Sequence, residues 1–180
     1  MFDLPLHPIV VHFPIVLTVL LPIFAFGALL AIRRSATPRR AWYLPLAVAA
    51  ALTVSAYVAT QTGESDEDRV EQVVARGALH SHEEAAERFL VLSGVLLAVA
   101  VVGLLHNRVG QAARLVTAAG TLGLVAAGVQ VGHSGGALVY REGAASAYTD
   151  TGRAAVTGRQ AAATAAAAPD ARRSSDDEHP

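Results

Sequence analysis

Seven histidines are the side chains of this sequence best suited to chemistry: His7, His12, His80, His82, His106, His133 and His179. Imidazole binds metal ions, ligates haem iron and carries protons near neutral pH. Other chemistries are thinly supplied. There is no Cys, which excludes disulfides, thiolate metal sites, Cys-ligated iron–sulfur clusters and covalently attached haem. Met1 is the only Met, so no internal Met axial ligand exists. Every basic residue is Arg, and without Lys there is no Schiff-base or Walker-type chemistry. The net charge of −1 gives no global attraction to nucleic acid.

The elements that must position these histidines are membrane helices. Of the 180 residues, 53% are hydrophobic and 16% charged, against about 25% charge in a soluble domain. Mean hydropathy is +0.41. Pro8–Ile32, Ala41–Gly63, Phe89–Asn107 and Leu115–Tyr140 contain no Asp, Glu, Lys or Arg. About 20 such residues cross a bilayer core. The pattern predicts an all-α, antiparallel four-helix bundle in the membrane, with spans near 8–32, 41–62, 82–105 and 113–134. It excludes an ordinary soluble fold, and the alternation of an outer-membrane barrel is missing.

Further signals refine this scheme. The N-terminus lacks the positive region of a secretory signal and reads as a retained helix. Pro14 and Pro22 inside the first span predict a kink. Trp42 and Tyr43 occupy an aromatic-belt position. Gly63 reads as the end of span two. The loop that follows carries eight acids, Glu64 to Glu87, against three Arg. Ser65-x-x-Asp68 with Val70, Val73 and Val74 suggests a short surface helix there, and Ser81-x-x-Glu84 a capping box for span three. Span four reads as ending near Gly132–Gly136. From Ala144 to Pro180 the composition turns to Ala, Ser, Thr, Arg and Asp, a disordered low-complexity tail set apart from a 1–143 membrane domain.

The short loops orient the bundle. Arg33, Arg34, Arg39 and Arg40 lie in the first, and Arg108 and Arg114 flank the third. The positive-inside rule puts them in the cytoplasm, which turns both termini and the acidic loop outward.

Antiparallel threading gathers His7, His12, His80, His82 and His133 at one face, with Gln61, Glu64, Glu83, Glu84 and Gln130. His12 lies about 7–8 Å deeper than His7. Ionisable groups at such depth usually face the bundle interior. His82, at the start of span three, is disfavoured as imidazolium by the helix N-terminus, which suits a ligand. Plainer roles exist for each residue. His7 serves as an interfacial residue, His12 as a hydrogen-bonded tie between helices, His80 as solvated loop and Glu84 as a cap. Gly128-x-x-x-Gly132 serves as a close-packing face.

The residues Leu6-His7-Pro8-Ile9-Val10-Val11-His12-Phe13-Pro14-Ile15 resemble the opening of a bacterial four-span family catalogued as domain of unknown function 2231. His82-Glu83-Glu84 is similar to its mid-chain motif, Thr62-Gly63 fits the end of its second span, and Gly132-His133-Ser134-Gly135-Gly136-Ala137-Leu138-Val139-Tyr140 resembles its closing motif. That motif usually continues His-Gly; here it reads Arg141-Glu142-Gly143, so a histidine role at that position is lost. The resemblance covers about residues 4–143. It implies service near respiratory electron transfer, since relatives resemble parts of proteins with Rieske or cytochrome c modules, and it carries no settled activity.

Together these readings lead first to a membrane cytochrome-like protein. It would hold a non-covalent haem b by two histidines among His7, His12, His82 and His133, with His12 and His133 as first choice. Its partners would be the lipid bilayer and a membrane or periplasmic redox protein. The expected geometry is a shared cavity reached by His12, His82 and His133. An ideal helix sets His7 and His12 about 140° apart, so both reach it only if the Pro8–Pro14 stretch is distorted. The alternatives are a transition-metal ion on His7, His12, His82 and His133 with Glu83 or Glu84, and a cofactor-free scaffold or small transporter.

Overall fold

The computed structural model describes residues 6–149 together with 154, 157, 158, 161, 162 and 164. The described residues are helical, without strands. In chain order they form α1 (His7–Val10), α2 (His12–Arg33), α3 (Pro38–Val70), α4 (Arg76–Val102), α5 (Arg108–Tyr140) and a 3-10 turn at Ala144–Tyr148. Four helical stretches are long and apolar enough to cross a membrane: His7–Arg33, Pro38–Val70, Arg76–Val102 and Arg108–Tyr140. Each packs on its sequence neighbours, α2 closes against α5, and diagonal pairs do not meet. The result is an antiparallel four-helix ring.

Apolar side chains cover both surfaces of this ring. Leu21, Leu52, Phe89, Leu96 and Leu124 fill the middle with Ala49 and Ala56. Phe13, Val19, Val54, Val91 and Val129 stay more than half exposed. In water these outward faces would aggregate; in lipid they are solvated. Buried positions favour small residues, among them Ala25, Ala28 and Ala59, which lets the helices approach closely.

The first span is broken at Val11, between α1 and α2. Pro14 accounts for the position: its ring collides with the carbonyl four residues back, that of Val10. Val11 keeps φ −60° and ψ −20°, close to helical, so the break redirects the chain little.

The helices outrun the apolar spans. Gly63 does not end α3, which continues through the acidic stretch to Val70, and no separate surface helix forms. Ser65 donates to Gln61 O (2.8 Å) from inside the helix instead of capping one. The Val70–Val74 stripe docks in a second small core with Leu79, Leu138 and Ala144. That docking explains the extension, because α4 must start early, at Arg76, and α5 must run to Tyr140 to supply its share. Ser81 therefore lies inside α4 and is not a cap, and Glu84 instead engages His80 and Arg88.

Gly143 turns the chain back with φ +72°, a conformation that favours glycine, and Ala144–Tyr148 folds onto α3 and α5. The beginning of the expected tail is thus ordered; most of the rest lies outside the described residues.

Trp42 is not in a lipid-facing belt. It is fully buried and its Nε1–H donates to Ala100 O (2.9 Å), while Tyr43 beside it is exposed. Arg114, also buried, donates from Nη1 to Gly103 O and Leu105 O. The last carbonyls of α4 have no helical partners, and within a membrane they need donors from the protein.

Candidate functional site

At the acidic end the first span and α4, which are diagonal in the ring, each send one histidine towards the bundle axis. The His7 and His82 rings lie 6.4 Å apart between centroids and at 81° to each other. Two glycines allow this. A Cβ on Gly63 would stand 3.2 Å from His7 Cε1, and one on Gly135 would stand 3.0 Å from His82 Cε1. Both are tighter than ordinary contact, so the rings sit where only glycine backbone leaves room.

Hydrogen bonds fix the rings. His7 Nδ1 is 2.8 Å from Ala59 O. A carbonyl only accepts, so Nδ1 carries the proton and donates. Thr62 Oγ1 lies 3.4 Å from the same nitrogen, but its own proton goes to Ala59 O (3.0 Å). His82 Nδ1 is 2.9 Å from Ser134 Oγ, whose hydroxyl already donates to Val131 O (3.0 Å). Serine has one proton, so Ser134 accepts and His82 Nδ1 is the donor. In the neutral form both imidazoles are then Nδ1–H tautomers with the Nε2 lone pair free. Ligating histidines show this arrangement, one nitrogen anchored to a carbonyl or hydroxyl and the other available.

The other sequence candidates lie elsewhere. His12 is exposed on the outer face and its Nδ1 is 3.3 Å from Ile9 O in the preceding turn. Because Val11 stays near-helical, turning His7 inward turns His12 outward. His133 is exposed as well, in a notch on the outside of α5. The cavity expected for His12, His82 and His133 together is not formed by these side chains. His80 pairs with Glu84 (3.1 Å) and lies 3.8 Å from Glu83, and Glu84 also binds Arg88 (2.7 Å). These are partly or largely exposed groups, worth little energetically. Among the described residues no three His, Asp or Glu side chains group as a metal cage would require.

Ser134, Gly135 and the Ala59 carbonyl receive no role from sequence reasoning. The available signal was periodicity. Leu124, Gly128, Val131, Gly135 and Leu138 fall on one face of α5, and Gly128 meets Thr18 and Phe89 in the interior. Extending that face upward turns Ser134 and Gly135 inward.

No curated protein and no solved structure matches the chain. A family model described as "Predicted membrane protein (DUF2231)" matches residues 3–147. With that match spanning most of the sequence, and with four helices long and apolar enough to cross a membrane, the chain belongs to this family of membrane proteins of unknown function.

Proposed function

We propose that this protein is a membrane cytochrome-like electron-transfer component, in which His7 and His82 hold a haem b on the bundle axis at the acidic end. The observation that carries the reading is the spacing of the two anchored imidazoles. Their rings stand 6.4 Å apart between centroids, so His7 and His82 would be the residues that hold the group, and among the described residues no third His, Asp or Glu gathers with them. Absence of Cys and of internal Met leaves bis-histidine as the available donor set.

Haem would supply a one-electron couple when bound. The chain's own residues do the rest. Ala59 O and Ser134 hold the imidazoles in their ligating tautomer, and Gly63 and Gly135 make room for the rings. Val74, Leu79 and Leu138 separate it from the aqueous side. The Arg-rich loops favour an orientation with this end outward, at a bacterial inner membrane, facing a periplasmic or membrane redox partner.

The test is the absorbance of protein purified in detergent after expression with haem supplied. A Soret band at stoichiometric haem, a low-spin bis-imidazole spectrum, and loss of both in His7→Ala and in His82→Ala are expected. Wild-type protein that stays colourless, or that keeps its band without His82, would overturn the reading.

A further inference from the structure

The outer face of α5 carries a notch of about 310 Å³, lined by Gly132, His133, Gly136, Ala137, Tyr140 and Arg141. It lies on the opposite side of the helix from Ser134 and Gly135, and the haem reading makes no use of it. Its composition changes along its length. The lower part is two glycines and an alanine, with open space where Gly132 and Gly136 would bear a Cβ. The upper part has Tyr140, 90% exposed, and Arg141, while His133 lies beside Gly132 at the foot of the notch. From Gly132 to Arg141 the helix rises about 13 Å. That distance runs from hydrocarbon depth to the headgroup layer, which is about 5–7 Å thick on each side.

Charge selects the occupant. Of the acids at this end of the bundle, Glu64 to Glu71 and Glu83 to Glu87 lie on or next to α3 and α4, and Glu142, beside Arg141 in the chain, does not line the notch. Arg76 is paired with Glu71 (2.6 Å), Arg88 with Glu84 (2.7 Å), and Arg69 sits over the Tyr148 ring at 5.8 Å. Arg141 makes no ion pair among the described residues and points from the membrane-facing side of α5. Guanidinium and phenol donors together match a phosphate diester, and the smooth glycine channel below them matches an acyl chain. We propose that this notch is a binding site for one anionic phospholipid, its phosphate on Arg141 and Tyr140 and its chain along Gly132 and Gly136.

Native mass spectrometry of the full chain, released from micelles containing equal phosphatidylglycerol and phosphatidylcholine, tests this. Arg-rich loops at the opposite end also attract anionic lipid, so the readout is the change on substitution. Arg141→Gln is expected to lower the retained phosphatidylglycerol by one molecule per chain, and Gly136→Leu to do the same by filling the channel. Arg141→Lys should weaken retention about 3- to 10-fold without abolishing it. In Arg40→Gln, at the other end, the further loss caused by Arg141→Gln should persist. Glycerol phosphate, which has the headgroup chemistry without the chain, should fail to displace the lipid at millimolar concentration. Unchanged retention in Arg141→Gln overturns the site. Unchanged retention in Gly136→Leu, or displacement by glycerol phosphate, overturns the lipid assignment.

Discussion

The two ends of the bundle solve the same problem with different side chains, and the difference lies in what each leaves available. In each, a buried or half-buried nitrogen donor on one helix reaches a carbonyl or hydroxyl on or at the end of another. At the Arg-rich end the donors are the Trp42 indole and the Arg114 guanidinium. Neither group has an acceptor, so once their N–H groups are spent the site is closed. At the acidic end the donors are His7 and His82. Imidazole donates from one nitrogen and keeps a lone pair on the other. A helix tie built from histidine therefore retains a free valence, and two such ties face each other across the bundle axis. The glycines repeat the contrast. Gly103 is pressed between Trp42 and the end of α4, with no space for a methyl, whereas Gly63 and Gly135 press on rings that have an unused edge.

Breaking one tie at each end separates stability from binding, and here the largest effects are expected. If the proposed haem site is right, His82→Ala or His7→Ala should remove the haem entirely while the protein still inserts, because the apolar spans are untouched. Trp42→Ala should do the reverse. It empties a fully buried site and orphans the Ala100 carbonyl, a loss of about 3–5 kcal/mol in stability. The haem absorbance of the fraction that remains folded should not change. His12→Ala and His133→Ala should leave the absorbance as in wild type. Loss of the band in either of those two variants would reassign the ligands, and loss in Trp42→Ala without unfolding would show that the ends are coupled.

A smaller effect tests whether the acidic-end tie is a positioning device. Ser134→Ala removes the acceptor for His82 Nδ1 but leaves the ligand in place. Outer-shell changes of this kind weaken metal binding about 10- to 100-fold. The expected outcome is faster haem loss to an apohaem acceptor, with recovery in Ser134→Thr, which restores the hydroxyl. A Ser134→Ala protein that loses helicity yet holds haem as tightly as wild type would make Ser134 a packing residue only.

Gly135→Ala should have a milder consequence than Gly103→Ala. The new methyl at 135 meets the His82 ring edge at 3.0 Å, and a few tenths of an ångström of ring movement relieves it. At 103 the methyl overlaps the Trp42 indole and a carbonyl in a packed corner, an overpacking worth about 1–3 kcal/mol. Thermal unfolding should rank the two in that order, and an equal or reversed ranking would mean that the histidine end is as tightly packed as the other.

The same contrast explains what the sequence disclosed. Four uncharged runs and the gathering of His7, His12, His80, His82 and His133 at one end follow from length and threading alone, since the bilayer permits few alternatives. Helix ends did not follow. Gly63, Ser65 and Ser81 carry strong stop or start signals, yet tertiary docking of Val74, Leu79, Leu138 and Ala144 carries α3 and α4 through them. Which histidines pair also stayed hidden, because it depends on rotational phase. A step of about 100° per residue decides between His133 and Ser134, and the Val11 break decides whether His12 joins His7. Counting chemistry-bearing residues favours His133, whereas the interior face set by Gly128 and Gly135 favours Ser134.

The smallest expected effect concerns the strap that covers the histidine end. Tyr148, at the close of the 3-10 turn, is anchored beside Asp66 and under Arg69. Partial burial first, then the Asp66 charge and its hydrogen bond, push the phenol up to about 12 from an ordinary 10.0, with Arg69 pulling the other way. The folded strap thus prefers the neutral phenol. Its contribution is fully present below pH 10, where folded and unfolded tyrosine are both protonated. It declines as pH rises, because the released tyrosine ionises first, and it is gone once pH passes about 12. Hydrogen exchange at Ala144–Tyr148 should therefore accelerate beyond the ordinary base-catalysed rate between pH 10 and 12. In Tyr148→Phe the strap should be looser by about 1 kcal/mol or less at neutral pH, the size of one exposed hydrogen bond, and the extra alkaline step should vanish. Persistence of that step in the Phe variant would assign it to another group. Its absence in wild type would mean that the strap is held by Ala144 and Ala147 packing alone, as the Arg-rich end is held by packing around Trp42.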